Sequence, residues 1–207
     1  SAASDVYKRQ GESPVDDSDL TEHLDSQMYE LAYVNIPLYN TSTFVFASDD
    51  QKAQMLQLAQ AAAASCSETQ DGSVSEQVSA LHSAASAALP DIYAVLGSTP
   101  SDTNVQTELL GASTLDSTFT QSGSADTIRN LAYGQAAAVQ YSSYAMMLTL
   151  RVDPLSVASL DDLRDQVITD MKTSELKTAL SDSGASLENH LDTSAMNKLP
   201  MTKIVNK

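Results

Sequence analysis

Apolar positions along this chain recur at two spacings, and the switches between them divide it into elements. In the polar, acidic opening GESPVDDSDLTEHLDSQ, Leu20 and Leu24 stand four apart, as on one face of a helix. From Met28 the character changes to MYELAYVNIPLYN, rich in Tyr, Val and Ile, which predicts a strand over 30–39. Pro37 has no N–H for a ladder and places that strand at or near a sheet edge. Ser48 with Gln51 three residues on is a capping-box pattern, and Met55, Leu58, Ala59 and Ala62 mark the buried face of the helix it starts. DGS at 71–73 breaks that helix. Ser73 with Glu76 repeats the box ahead of Val74, Val78, Leu81 and Ala85, so two antiparallel helices follow from a short turn. Pro90 is expected to end the second, with 91–97 adding one short turn closed by Gly97.

A polar loop, STPSDTN, leads to NVQTELLG, which has the length and partial alternation of a short strand. Ser124 is expected to cap a short helix, ADTIRNLAY, with Ile128 and Leu131 facing inward and Gly134 ending it. The clearest β pattern is SYAMMLTLRVDP. Met146, Leu148, Leu150 and Val152 fall on one face, and Met147, Thr149 and Arg151 on the other; QAAAVQY before it is its hairpin partner. Ser159 then caps a long helix with Asp161 and Asp162 in its first turn, where the helix dipole favours negative charge. Gly184 is expected to stop it, and a polar tail carrying Leu187, Leu191 and Met196 ends in LPMTKIVNK, a last extended segment. This order predicts an α+β fold, a small antiparallel-dominated sheet flanked by helices with an appended C-terminal helix.

The first ten residues, SAASDVYKRQ, read as a translated sequencing adapter, and residues 11–207 as the truncated C-terminal part of a longer chain whose export signal or lipid anchor is lost with its start. Setting them aside removes two of 11 basic and one of 27 acidic residues, so the net charge of −16 becomes −17. So acidic a surface disfavours nucleic acid and anionic lipid headgroups, which need clustered Lys and Arg. No run of about 18 apolar residues is present, so no membrane insertion is expected. The single Cys66 rules out a disulfide framework and reads as a small, buried, inert thiol. Scarcity of Cys fits an extracytoplasmic protein.

Candidate chemistry is sparse. His23, His82 and His190 lie on separate elements without spaced Cys, Asp or Glu partners and read as surface histidines, so no metal or cofactor is expected. No G-x-S-x-G occurs, which argues against a nucleophile elbow. The many Asp residues fall at caps and loops. Asn40 begins an NTS sequon, and Met146 with Met147 suits either core filling or a Met-lined peptide groove.

The order of elements, LAYG at Leu131–Gly134, SYAMMLTL, and the segments VITDMKTSELKTAL and SAMNKLPMTKIV together resemble the C-terminal part of bacterial parvulin-type (rotamase) peptidylprolyl isomerase foldases. In that family a strand leads to several helices, a strand, a short helix ending in a Leu-x-x-Gly turn, and a closing hairpin. The resemblance covers nearly everything after residue 19. It implies the end of a helical domain over 11–27, a parvulin-like domain over 28–153, and the return to a helical chaperone domain over 154–207. It implies substrate-groove residues Asn35, Leu131, Tyr144, Ala145 and Met147, and unfolded or newly exported polypeptides as partners. The chain departs from the pattern where it matters chemically. Asn35 and Ala145 stand where the family carries its two histidines, the glycine-rich stretch is reduced to Gly111, and the Cys or Asp near the active centre has no counterpart.

Prolyl rotation breaks no bond; its barrier of about 18–20 kcal/mol comes from amide resonance. A catalyst needs an apolar slot and a few directed polar groups that bind the twisted amide best. Losing the histidines removes the directed groups and leaves shape, so holding extended, Pro-containing segments is the main expectation and isomerase activity the lesser one. The rival expectation is a non-catalytic, Ala-rich helical module of a secreted or surface protein, structural or adhesive. The hairpin at 135–152 discriminates, because a purely helical module has no use for it.

Overall fold

The computed structural model describes residues 15–66, 70–100 and 103–188. The ten opening residues, His190, Leu191, Met196 and the expected last extended segment lie outside them. A four-stranded antiparallel sheet in the order β2-β1-β4-β3 forms the centre, from β1 (Met28–Pro37), β2 (Gln106–Gly111), β3 (Ala136–Gln140) and β4 (Ala145–Val152). Around it run α1 (Asp17–Gln27), α2 (Asp49–Ser65), α3 (Val74–Ala94), α4 (Ala112–Thr118), α5 (Ser124–Arg129), α6 (Pro154–Val157) and α7 (Leu160–Glu188). The fold is therefore α+β with a terminal hairpin, β3–β4, and the purely helical alternative falls.

Strand alternation sends two sets of side chains to opposite faces. Even positions, among them Ala32, Val34, Ile36, Met146, Leu148, Leu150 and Val152, pack with Met55, Ala59, Leu81, Ala85, Leu89 and Ile92 of α2 and α3 in the main core. Odd positions, Tyr29, Leu31, Met147 and Val139, pack with Leu115, Phe119, Ile128 and Leu131 in a second core on the other face. Both Met146 and Met147 are thus buried, one in each core. A third cluster joins Leu20, Leu24 and Met28 to Val167 and Ile168. There α1 and α7 lie side by side: His23 Nε2 is 2.8 Å from Asp170 Oδ2 and Arg164 Nη2 is 2.6 Å from Asp17 Oδ1. Six residues along α1 match six along α7, so the two helices run parallel.

Both capping boxes form: Ser48 with Gln51 and Ser73 with Glu76 satisfy each other's orphan amides. Ser159 and Asp162 do the same at the start of α7. Four expectations need correction. Pro37 does not mark an edge, because β1 is central. The Leu38 N–H donates to Tyr144 O at 2.8 Å, so the alternate residue Pro37 points its nitrogen to the β2 side, beyond the last β2 pair at Tyr33. No ladder bond is lost. Pro90 does not end α3, which runs on to Ala94, because Leu89, Ile92 and Tyr93 around it are all buried and packing outweighs one missing hydrogen bond. Ser124 is not a cap; Gly123, in the left-handed region at φ +77°, precedes α5, which ends at Arg129 rather than at Gly134. Gly184 does not stop α7, which continues to Glu188. Two short helices, α4 and α6, were not anticipated.

Candidate functional site

The odd face of the sheet is covered by α4 and α5 only in part. Toward the C-terminal end of β1 that cover ends: Tyr33 and Tyr141 are half-buried, and Asn35 and Tyr144 are exposed. The register sets Asn35 opposite Met147, and Met147 opposite Val139. The Tyr141 OH donates to Asn35 Oδ1 at 2.9 Å, and the Tyr141 ring packs on Phe119 with centroids 5.8 Å apart. No hydrogen bond from the Asn35 amide NH2 to another described residue is present, so an exposed donor is left at the middle of the tyrosine cluster. Burial raises the Tyr33 phenol, with the Glu108 carboxylate beside it adding to the effect. Burial likewise raises Tyr141, with Tyr33 contributing and the Asn35 hydrogen bond acting the other way. These phenols stay protonated at neutral pH and act as hydrogen-bonding groups, not bases.

The loop after β1 extends this end of the sheet. Leu38 pairs with Tyr144, so the base of the loop lies next to the β3–β4 turn, and Tyr39 bridges to Phe46 within the loop. Phe44, Val45 and Phe46 are 72%, 65% and 65% exposed, three successive apolar side chains in water. They are held there. Tyr39 contacts both rings, at 6.3 Å from Phe44 and 5.8 Å from Phe46. Asn40 Nδ2 donates to Leu96 O at 2.9 Å, while its Oδ1 accepts from Ser42 and Thr43 N–H at 2.9 and 3.0 Å. Phe44 itself sits at φ +57°, a conformation that costs a non-glycine residue of order 1 kcal/mol. The Asn40 amide is thus an internal staple. The sequence marks it only as a sequon.

Of the residues implied by the resemblance, the structure brings Asn35, Leu131 and Met147 to the same face, with Leu131 and Met147 buried beneath it. Ala145 is buried opposite Pro37, and Tyr144 is exposed at the turn tip. The three apolar residues form a filled floor, so what a ligand meets is Asn35 and the tyrosines. Tyr33, Tyr141 and Glu108 were missed, because their convergence depends on pairing three strands far apart in sequence.

No protein-family model, curated protein or solved structure matches this chain.

Other chemistry has little support among the described residues. Among the described residues no group of His, Cys, Asp and Glu is arranged to hold a metal ion. His23 is not a surface histidine: its pairing with Asp170 is part-buried, a partner 147 residues away that spacing could not reveal. An S-x-x-K spacing does occur, at Ser174 and Lys177 of α7, but Lys177 is exposed and not desolvated as a serine-activating lysine has to be. Cys66 is buried, and burial raises its thiol, which suits an inert packing role. No helix among the described residues is long and apolar enough to cross a membrane.

Proposed function

We propose that this chain is a polypeptide-holding domain of the parvulin-like foldase type, acting on unfolded or newly exported, Pro-containing segments outside the cytoplasm. The observation that carries the reading is at one end of the sheet, where Asn35 and Tyr141 are hydrogen-bonded, Tyr144 is exposed, and the loop that follows β1 presents the exposed Phe44, Val45 and Phe46. Peptide backbones need hydrogen-bonding groups, and unfolded chains expose apolar side chains; this surface offers both. The element order, strand, helices, strand, short helix, Leu-x-x-Gly turn and hairpin, supports the reading too, as does the pairing of α1 with α7 on either side of the sheet domain in the chain. In this view α1 and α7 are parts of a helical chaperone domain, and Leu176 and Leu180, four apart and exposed on α7, face more of it.

Isomerase catalysis is the lesser part of the proposal, since Asn35 is the one directed donor at the centre and the floor below it is filled. Two measurements test the reading. A permanently unfolded, reduced and carboxymethylated protein should bind residues 11–207, and Tyr141→Ala or the pair Phe44→Ser, Phe46→Ser should weaken that binding about tenfold each. Exchange NMR on an Ala-Pro peptide should show cis–trans exchange near its uncatalysed time of tens to hundreds of seconds. Absence of client binding by a folded sample would overturn the proposal; accelerated exchange would instead make it an enzyme and send attention to Asn35.

A further inference from the structure

The sheet has two edges, and the molecule treats them differently. At the β2 edge Leu109 turns its carbonyl outward, and α7 covers it: Gln166 Nε2 donates to Leu109 O at 3.0 Å. At the β3 edge the register with β4 is unbroken from Gln135 to Tyr141, with Arg151 N–H donating to Gln135 O and Tyr141 N–H donating to Ala145 O. Odd residues of β3 therefore spend their backbone groups on β4. Ala136, Ala138 and Gln140 must point theirs away from it. No described residue bonds to those outward groups.

Natural edges are protected by charge, proline, bulges or cover. The segment AAAVQ has none of the first three. It is also recessed rather than open, since Ala138 is only 7% and Val139 5% exposed. Beside it runs a groove of about 410 Å³, lined by Leu56 and Gln60 of α2 on one side and Gln121, Ser122 and Thr127 around the start of α5 on the other. Its lining carries no charge.

We infer that the β3 edge takes up an extended polypeptide segment by strand addition, with Ala136, Ala138 and Gln140 supplying main-chain hydrogen bonds and the amides and hydroxyls of the groove walls flanking it. Buried backbone polar groups call for partners, and an added strand provides them at the right repeat. A second copy of this chain is the poorer occupant: its own β3 is recessed between the same walls, and two copies at −16 each repel. Five residues of β3 span about 17 Å, so the occupant is a short extended stretch of small or polar residues. That the occupant is an unfolded client rests on the holding function proposed above; the edge itself does not.

The test uses the whole chain, isotopically labelled, and a capped heptapeptide of alternating Thr and Val. Hydrogen exchange at the amides of Ala136, Ala138 and Gln140 should slow about tenfold at saturating peptide. Gln140→Pro, which removes one outward donor at an edge position that tolerates proline, should weaken binding about tenfold while leaving the circular dichroism spectrum unchanged. If peptide binds and these three amides do not change, the edge is not the site; perturbation confined to Asn35, Tyr141 and Tyr144 would overturn this inference and leave the holding function standing. No binding at millimolar peptide overturns the inference, and the unfolded-protein assay then decides the holding function by itself. Slowed exchange at these amides without peptide, with concentration-dependent dimerisation, would make a second copy the occupant and overturn it as well. Should Gln140→Pro fail to fold, the exchange measurement on the unaltered chain decides alone.

Discussion

Arg151 shows how one side chain ties the domain together. Its guanidinium lies between two rings, 4.8 Å from the Tyr29 centroid and 4.9 Å from that of Tyr133, and donates to Leu131 O at 2.8 Å and Asp25 O at 3.2 Å. It thereby joins β4 to the end of α1 and to the turn before β3. Arg151→Met keeps the apolar stem and removes both ring and carbonyl contacts, for an expected loss of about 2–3 kcal/mol in urea unfolding. Its neighbour Tyr133 donates to Asp25 Oδ1 at 3.1 Å, and burial first, then Asp25, push its phenol up to about 12. A raised phenol favours the protonated, folded form; that contribution is complete below the ordinary value of 10.0 and is lost as the pH climbs toward about 12. Thermal midpoints should therefore fall across this window, and less steeply in Tyr133→Phe. Glu30, 6% exposed on β1, has its carboxyl raised by burial and then by Glu108. Here too the protonated form is the one the fold favours, so that contribution is complete below the ordinary Glu value of 4.5 and stability declines as the pH rises from there through the raised one. Glu30→Gln should raise the denaturation midpoint at pH 7 and change it little near pH 4, a difference that two unfolding curves would reveal. Alternation places Arg151 on the odd face, but nothing local announces the rings it meets.

Elements were legible wherever their signals are local. Ser48 and Ser73 cap their helices as their spacing to Gln51 and Glu76 requires, and Ser48→Ala or Ser73→Ala should each cost about 1 kcal/mol by chemical denaturation. The period-2 pattern of β4 put every side chain on its observed face, because a slip of one residue would turn the whole apolar set into water. Pro37 and Pro90 misled for a related reason: each removes an N–H, and whether that matters is decided by the neighbouring strand at Pro37 and by the packing that outweighs the lost bond at Pro90, not by the residues beside them. Gly134 is a related case. It does not end a helix; at φ +76° it makes the turn into β3, and a Cβ there would lie 2.2 Å from Gln70 O. Gly134→Ala should cost more than 2 kcal/mol on the order of an overpacked, strained site, and a drop in thermal midpoint well beyond that of Ser73→Ala would register it.

At the scale of the whole molecule, charge and shape act together. A net charge of −16 should make client capture favour basic segments and weaken with salt, most visibly in the association rate. Binding indifferent to both client charge and ionic strength would count against the holding function. What the sequence by itself determined is the α+β class, the starts of α2, α3 and α7, the hairpin and the inward residues of most elements, since caps, turns and periodicity act within a few residues of the chain. What only the tertiary structure decided is the central place of β1, the parallel pairing of α1 with α7, the capping of the β2 edge by α7 while the outward groups of β3 are left without partners among the described residues, and the meeting of Asn35 with Tyr33 and Tyr141. Those features arise from contacts between residues 57 to 147 positions apart, where many pairings satisfy the same local pattern and burial of the two sheet faces selects one.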